Sequence, residues 1–431
     1  MGKRNTIRKS AVLIDSDDEG SVSSSSTAMS ELALAPETEE VYGGDKILEQ
    51  SLDDLFEKRG STREKALSVL IDGFSNKLQH QFVENKCITL LNQSHSSFKK
   101  GSSKEIILAS RVIGLLAITV GCGDSAHEIL EESITPFSQA MKSGSDPLKN
   151  SAVLDCLAVI TFVGGSVAED TERSLQIMWQ FVYPKLGQNV IASKPNTTIM
   201  TAAITAWTFL LTITDECKLT SKPWQESISY FSNLLEKEDR SLRIAAGEAL
   251  AVIFEVGNLE KIINEAKGST DEGITRLQGL KGKILNQVRN LSAEAGGKGL
   301  AKKDLSSQRD LFSDILEFLE DGYSPESTMK IGPDVLTVST WRHLIQLNFL
   351  KRFLGSGFVK HMQENLLLQE VFDFAPKKKF FDVHLTGVDK RMYKSPNSAL
   401  NKARTQSLNK KRVMSQGRNT GHFALGGDED A

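Results

Sequence analysis

Lys402, Arg404, Lys410, Lys411, Arg412 and Arg418 fall within residues 395–418, a stretch with no acid and few apolar side chains. Cations at this density do one kind of chemistry. They neutralise a polyanion, and the guanidinium forks can also pair phosphate oxygens and stack on unpaired bases. Just upstream, "PKKKFFDVHLTGVDKRMYK" interleaves Lys377, Lys378, Lys379, Lys390, Arg391 and Lys394 with Phe380, Phe381 and Tyr393. That mixture suits phosphate contact joined to base stacking. From Pro376 to Arg418 twelve Lys/Arg stand against Asp382 and Asp389, a net of +10, while the whole chain is −3. The last thirteen residues carry −3, so the first 375 carry −10. Charge segregated in this way points to a polyanionic partner.

Ser395 followed by Pro396 reads as an N-cap and first helical residue. Residues 396–416 would then form a helix about 30 Å long. At 100° per residue its cations occupy most of the circumference, and Leu400, Leu408, Val413 and Met414 make no broad apolar face. Such a helix is marginal in water by itself, and it lacks the amphipathicity of a membrane-surface helix. A rod charged on many sides is best served by a partner that encloses it. A channel of RNA phosphates does so, whereas duplex DNA offers one flank at a time. The expected partner is therefore ribosomal RNA, with affinity falling steeply with salt if about 8 phosphates are neutralised. A bipartite nuclear localisation signal and an unstructured solubilising arm are the competing readings of residues 376–418.

Other chemistries find little support. The seven histidines (His80, His95, His127, His343, His361, His384 and His422) include no pair at metal-ligand spacing and no HExxH. There is no GxSxG, and "GSG" at 355–357 reads as a turn after a helix. Gly279, Gly282 and Lys283 do not complete a phosphate-binding loop, and "GGKG" at 296–299 reads as a mobile loop with a secondary chance of phosphate contact. Cys87, Cys122, Cys156 and Cys217 are dispersed, with no CxxC, and read as buried free thiols. The expectation is a protein with no catalytic residues, metal, cofactor or small-molecule substrate. The N-terminus has no long apolar run, so no signal peptide or membrane anchor is expected. The location expected is cytoplasmic, with a nuclear pool also open.

The rest of the chain must position the basic arm. At 431 residues it is too long for one ordinary compact core. Residues 1–45 are Ser-rich and acidic, with Ser16 in "SDDE", a sequence that suits an acid-directed kinase; they read as a disordered head. From about residue 46, helical periodicity begins. Ala66, Ala109, Ala152, Ala202 and Ala245 recur at 43, 43, 50 and 43 residues. Each is followed four positions on by Leu70, Ile113, Cys156, Ala206 and Ala249, and eight positions on by Phe74, Ala117, Ile160, Leu210 and Ile253. This is one apolar helix face repeated, with second helices between, at the period of armadillo and HEAT solenoids. An all-α armadillo/HEAT-like helical-repeat domain is expected over 46–325, less regular over 258–303. A C-terminal helical domain is expected over 334–375. Within it "STWRHLIQLNFLKRFLG" is a helix capped by Ser339 or Thr340 and ended by Gly355, and a second helix follows in "GFVKHMQENLLLQEVF". Leu344, Leu347, Leu350, Phe353 and Leu354 should face inward and close the solenoid's end, and "DVLTV" should be extended. Residues 419–431 read as a disordered acidic end.

The stretches "GSTREKALSVL", "DRSLRIAAGEALAVIFE" and "WRHLIQLNFLKRFLGSGFVKHMQENLLLQEVFDF", with the tail "KRMYKSPNSALNKARTQSLNKKR", resemble the interferon-related developmental regulator family. The start "MGKRNTIRK" is similar to that of plant members. The resemblance covers residues 46–418 and is most specific in the C-terminal block and "NKARTQ", which adds Asn401 to the RNA-contact residues. It implies a non-enzymatic regulator that binds translationally idle ribosomes, its C-terminal segment entering RNA-lined channels. It also implies transcriptional co-regulation through nuclear protein complexes. The geometry of the tail favours the first, in which the segment occludes the path of messenger or transfer RNA. A third class, a nuclear-import carrier, would need an asparagine ladder along the groove, and none is visible.

Overall fold

The computed structural model describes residues 37–143, 146–183, 196–214, 218–259, 261–262, 272–294 and 302–377. Among the described residues these helices come first: α1 (Glu37–Asp54), α2 (Gly60–Asn76), α3 (His80–Lys100), α4 (Ser103–Val120), α5 (Asp124–Lys142), α6 (Pro147–Gly164), α7 (Ala168–Val182), α8 (Thr197–Leu211), α9 (Lys222–Leu234), α10 (Arg240–Val256), α11 (Glu272–Ser292) and α12 (Lys302–Asp321). An antiparallel hairpin follows, β1 (Ser327–Ile331) and β2 (Asp334–Val338), pairing Ser327 with Val338. Then come α13 (Trp341–Leu354), a short 3-10 turn over Gly355–Gly357, α14 (Phe358–Glu364) and α15 (Leu366–Val371).

The helices stack in two rows. Even-numbered α2, α4, α6, α8, α10 and α12 pack side by side, while α3, α5, α7, α9 and α11 form the second row against them. This is the helical-repeat solenoid that the spacing predicted. All ten residues at the fourth and eighth positions after the repeated alanines are buried, from Leu70 and Phe74 on α2 to Ala249 and Ile253 on α10.

Local chemistry sets the helix starts. Ser102, Asp146, Asn196, Asp239 and Thr340 each accept a hydrogen bond from the backbone N–H two or three residues on, satisfying donors that a helix start leaves open. Pro147 sits at the first position of α6, and Gly165 ends it. The Lys149 ammonium, 4% exposed, donates to the carbonyls of Ala140 and Ser143 at 2.8 and 2.7 Å. A cation there closes the C-terminal end of α5, where the helix dipole is negative.

α6 is apolar all round and long enough to cross a membrane, but most of it is buried within the protein. A helix covered on both sides needs no polar face. α5 and α7 lie on one side of it, and residues after the hairpin lie on the other.

Four features differ from the sequence reading. α1 begins at Glu37, nine residues earlier than expected. The stretch 258–303 contains the 21-residue α11, because Leu277, Ile284, Val288 and Leu291 form a buried stripe. That stripe outweighs the roughly 1 kcal/mol that each of Gly279 and Gly282 takes from helix stability. "DVLTV" is the second strand of a hairpin, and its partner "STMKI" was not foreseen. Cys156 is buried as expected, but Cys87 is half-buried and Cys122 is exposed; Cys217 lies outside the described residues.

Candidate nucleic-acid interface

The expected C-terminal helical cap is present, and its placement is the main finding. It does not sit on the last repeat alone. α13 to α15 run back across the even-numbered row, against chain order, as a strap. At the α10 end, Glu255 Oε1 and Oε2 accept from the backbone N–H of Trp341 and Arg342, each at 2.8 Å. A carboxylate there caps the first turn of α13 and matches its dipole. Gln346 then donates to Thr212 Oγ1 beside α8, and Phe349 stacks on Phe209 of α8 with ring centroids 4.1 Å apart. Arg352 forks onto Asp155 of α6 at 2.6 and 2.9 Å.

Phe353 presses on Gly114 of α4, with the Arg111 guanidinium 4.4 Å from its ring centroid. Gly357 and His361 reach α2, where His361 Nε2 lies 2.9 Å from the Phe74 carbonyl. Asn365 donates back to the Ile118 carbonyl at the end of α4. Of the residues expected to face inward, Leu347, Leu350, Phe353 and Leu354 are buried and Leu344 is half-buried. Residues 334–375 share one continuous core with the repeats.

Under the strap the charges are matched. Burial works against the Arg352 cation, but the Asp155 hydrogen bonds and the Asp155 and Glu248 charges outweigh it and raise its pKa. Burial lowers the pKa of Arg111. Burial also pushes the half-buried Glu248 carboxyl of α10 up to about 7, with the Arg352 charge pulling the other way. A carboxylate whose pKa is raised on folding makes the folded state hold the extra proton. Stability then falls as pH rises from the unfolded value near 4.5 to about 7, and levels off above that. Glu248→Gln should remove this slope. Relative to the unmodified protein, the variant should be about 1–2 kcal/mol more stable at pH 8 and nearly equal at pH 5, once solvent near the group is allowed for. Chemical denaturation at the two pH values checks this, and equal differences at both would refute it.

The strap ends where the basic arm begins. Lys377 donates its backbone N–H to Asp334 Oδ2 at 3.0 Å, and its ammonium lies 3.8 Å from Oδ1 with 88% of the side chain exposed. Asp334 opens β2, so the hairpin holds Lys377, the last described residue. A cavity of about 850 Å³ lies beside it, walled by Pro333, Leu366, Phe374 and Lys377. Of the predicted RNA contacts, Lys377 alone is described. Lys378, Lys379, Lys390, Arg391, Tyr393, Lys394, Asn401, Lys402, Arg404, Lys410, Lys411, Arg412 and Arg418 lie outside the described residues, as do "GGKG" and Ser16.

The anchoring groups Glu255, Asp155, Gln346 and Asn365 were not singled out from sequence. Arg352 and Asp155, 197 residues apart, carry no local sign that they pair. Among the described residues, no three His, Cys, Asp or Glu side chains converge as a metal site.

Fold and site together define a helical-repeat class: a solenoid whose even-numbered row is covered by its own C-terminal strap, which is followed in sequence by a cationic arm. The family model described as interferon-related developmental regulator matches residues 18–320, and that of the interferon-related protein conserved region matches 365–416. The chain belongs to the interferon-related developmental regulator family. It is 28% identical to interferon-related developmental regulator 1 of Sus scrofa, over 87% of this chain and 83% of the relative. It is 27% identical to the Homo sapiens protein of the same name, over 87% and 82%. To interferon-related developmental regulator 2 of Mus musculus it is 28% identical, over 88% and 87%.

Proposed function

We propose that this protein is a non-enzymatic, ribosome-binding regulator of translation. Its strapped solenoid is a rigid body, and residues 376–418 insert into RNA-lined channels of idle ribosomes, where they block messenger or transfer RNA. The observation that carries this reading is the net +10 of residues 376–418 on a body of −10. Within it, residues 396–416 make no broad apolar face with which to dock on the protein's own repeats. The arm follows the end of a strap pinned by contacts to α10, α8, α6, α4 and α2.

A rival reading makes the solenoid groove a nuclear docking surface for protein complexes. The strap already occupies the face of the even-numbered row that such a scaffold would offer, which weighs against it. A chain ending at Pro376 should lose co-sedimentation with ribosomes in moderate salt, and the full chain's ribosomal pool should be released by RNase. Retention of the truncated chain, or a pool released only by DNase, would reject the ribosomal reading.

A further inference from the structure

The second row of helices carries a feature that the arm does not explain. Trp179 and Tyr183, one turn apart at the end of α7, meet Tyr230 of α9. Ring centroids are 6.4 Å apart for Trp179–Tyr183, 6.3 Å for Trp179–Tyr230 and 4.9 Å for Tyr183–Tyr230, the last pair nearly perpendicular. Tyr230 donates its hydroxyl to the Val182 carbonyl, which fixes its ring against the end of α7. Burial pushes its pKa up to about 12, so it stays neutral. Tyr183 is nevertheless 48% exposed. An aromatic ring held rigidly by its neighbours with one side open to solvent is a stacking platform rather than a core residue.

The platform opens on a cavity of about 400 Å³, which also takes in Asn233, Glu226 and Arg276. That is within the range of small-ligand pockets. Arg276, exposed on α11, makes no hydrogen bond or ion pair with another described residue. Asn233 Oδ1 accepts from Lys283 at 2.9 Å, which leaves the amide NH2 to donate to a base edge. Glu226, the acid of the set, lies 4.0 Å from the Lys222 ammonium. The three rings touch one another, so no gap between them can enclose an alkylated ammonium as an aromatic cage does. What they offer is an outward face beside the exposed Arg276 guanidinium.

We infer that this cavity on α7, α9 and α11 binds a nucleotide of single-stranded RNA. The base stacks on Tyr183 and Trp179, Asn233 reads its edge, and Arg276 holds a flanking phosphate. The inference rests on RNA being the protein's partner, as proposed above, and adds a contact on the body, independent of the arm. It would give an RNA-bound molecule a second point of attachment and hence an orientation.

The test uses the full chain and a fluorescently labelled single-stranded RNA 20-mer of mixed sequence, followed by anisotropy. Tyr183→Ser should weaken binding about tenfold and Tyr183→Phe should not. Arg276→Ala should weaken it and lower the slope of log affinity against log salt by about one. Ultraviolet crosslinking should place the RNA on the peptide containing Trp179 and Tyr183. Tyr183 is half open and Arg276 exposed, so both variants should melt with the unmodified protein, which separates loss of contact from loss of fold.

A second background separates this site from the arm. With Lys402, Arg404, Lys410, Lys411 and Arg412 all changed to Gln, the residual affinity should still fall on adding Tyr183→Ser. If the arm changes abolish binding and Tyr183→Ser leaves the full chain unaffected, this site is refuted and the arm stands. If Tyr183→Ser matters and the arm changes do not, the site stands and the arm reading fails. Displacement of the crosslink by a proline-rich peptide but not by unlabelled RNA would mark a peptide groove and overturn the assignment.

Discussion

Gly357→Ala should strip the strap from the first repeats. A Cβ at this position would fall on the Ser75 carbonyl oxygen at the end of α2, with the Ser75 carbon also in the way. Backbone cannot yield as a flexible side chain can, so the strap must move. Overpacking in a core costs about 1–3 kcal/mol where neighbours can adjust. Here the displacement also breaks the His361 hydrogen bond to Phe74 and shifts Phe358, which is 1% exposed. A loss of about 3 kcal/mol or more is expected for one methyl group. It should be local, because α13 keeps its anchors at Glu255 and Phe209. Hydrogen exchange should therefore rise in residues 355–377 and at the end of α2, with α8 and α10 little changed, and protease should cut near the glycine turn. A variant with the original melting temperature and full protection over 355–377 would mean that the strap is not seated on α2 in solution.

The same placement bears on how the solenoid can work. A bare repeat protein presents an extended groove to partners. In this chain the corresponding face is used internally, and each of α2, α4, α6, α8 and α10 gives the strap a contact. Gly114 on α4 has no side chain where Phe353 sits, and an added Cβ there would clash with that ring. The body is thereby stiffened along its length.

What the sequence made legible follows from the range of the interactions. The repeats were readable because an apolar stripe at i, i+4 and i+8 is local, and so was the cap at Thr340. The strap's helices were readable for the same reason. Its position was not. The pairs that fix it are remote in sequence, 197 residues for Arg352 with Asp155 and 287 for His361 with Phe74. The apolar face of α13 would have suited an end cap equally well, so periodicity could not choose. α11 was underestimated because Gly279 and Gly282 suggest a break, and a buried stripe overrode them. The Trp179–Tyr183 pair stood at helical spacing, but the Tyr230 hydrogen bond that leaves Tyr183 presented to solvent comes from another repeat.

Changing Lys402, Arg404, Lys410, Lys411 and Arg412 together to Gln should abolish capture by ribosomes while leaving the fold untouched. The substitutions lie beyond the strap, among residues with no stripe to bury, so the melting temperature should not move. Each phosphate contact removed should take about 0.7–0.9 from the slope of log affinity against log salt, so five should flatten it by about 4. At moderate salt this corresponds to a loss of about 100-fold or more. Because the favourable term is release of counterions, lowering the salt should partly restore binding of the unmodified chain at reduced concentration and do much less for the variant. Permuting the order of residues 396–416 while keeping their composition adds a second arm to the experiment. Charge alone predicts near-normal affinity for the permuted chain, whereas insertion as a shaped rod predicts that occlusion of messenger RNA is lost even where binding survives. Capture by ribosomes that withstands removal of all five cations would leave the arm without its assigned role.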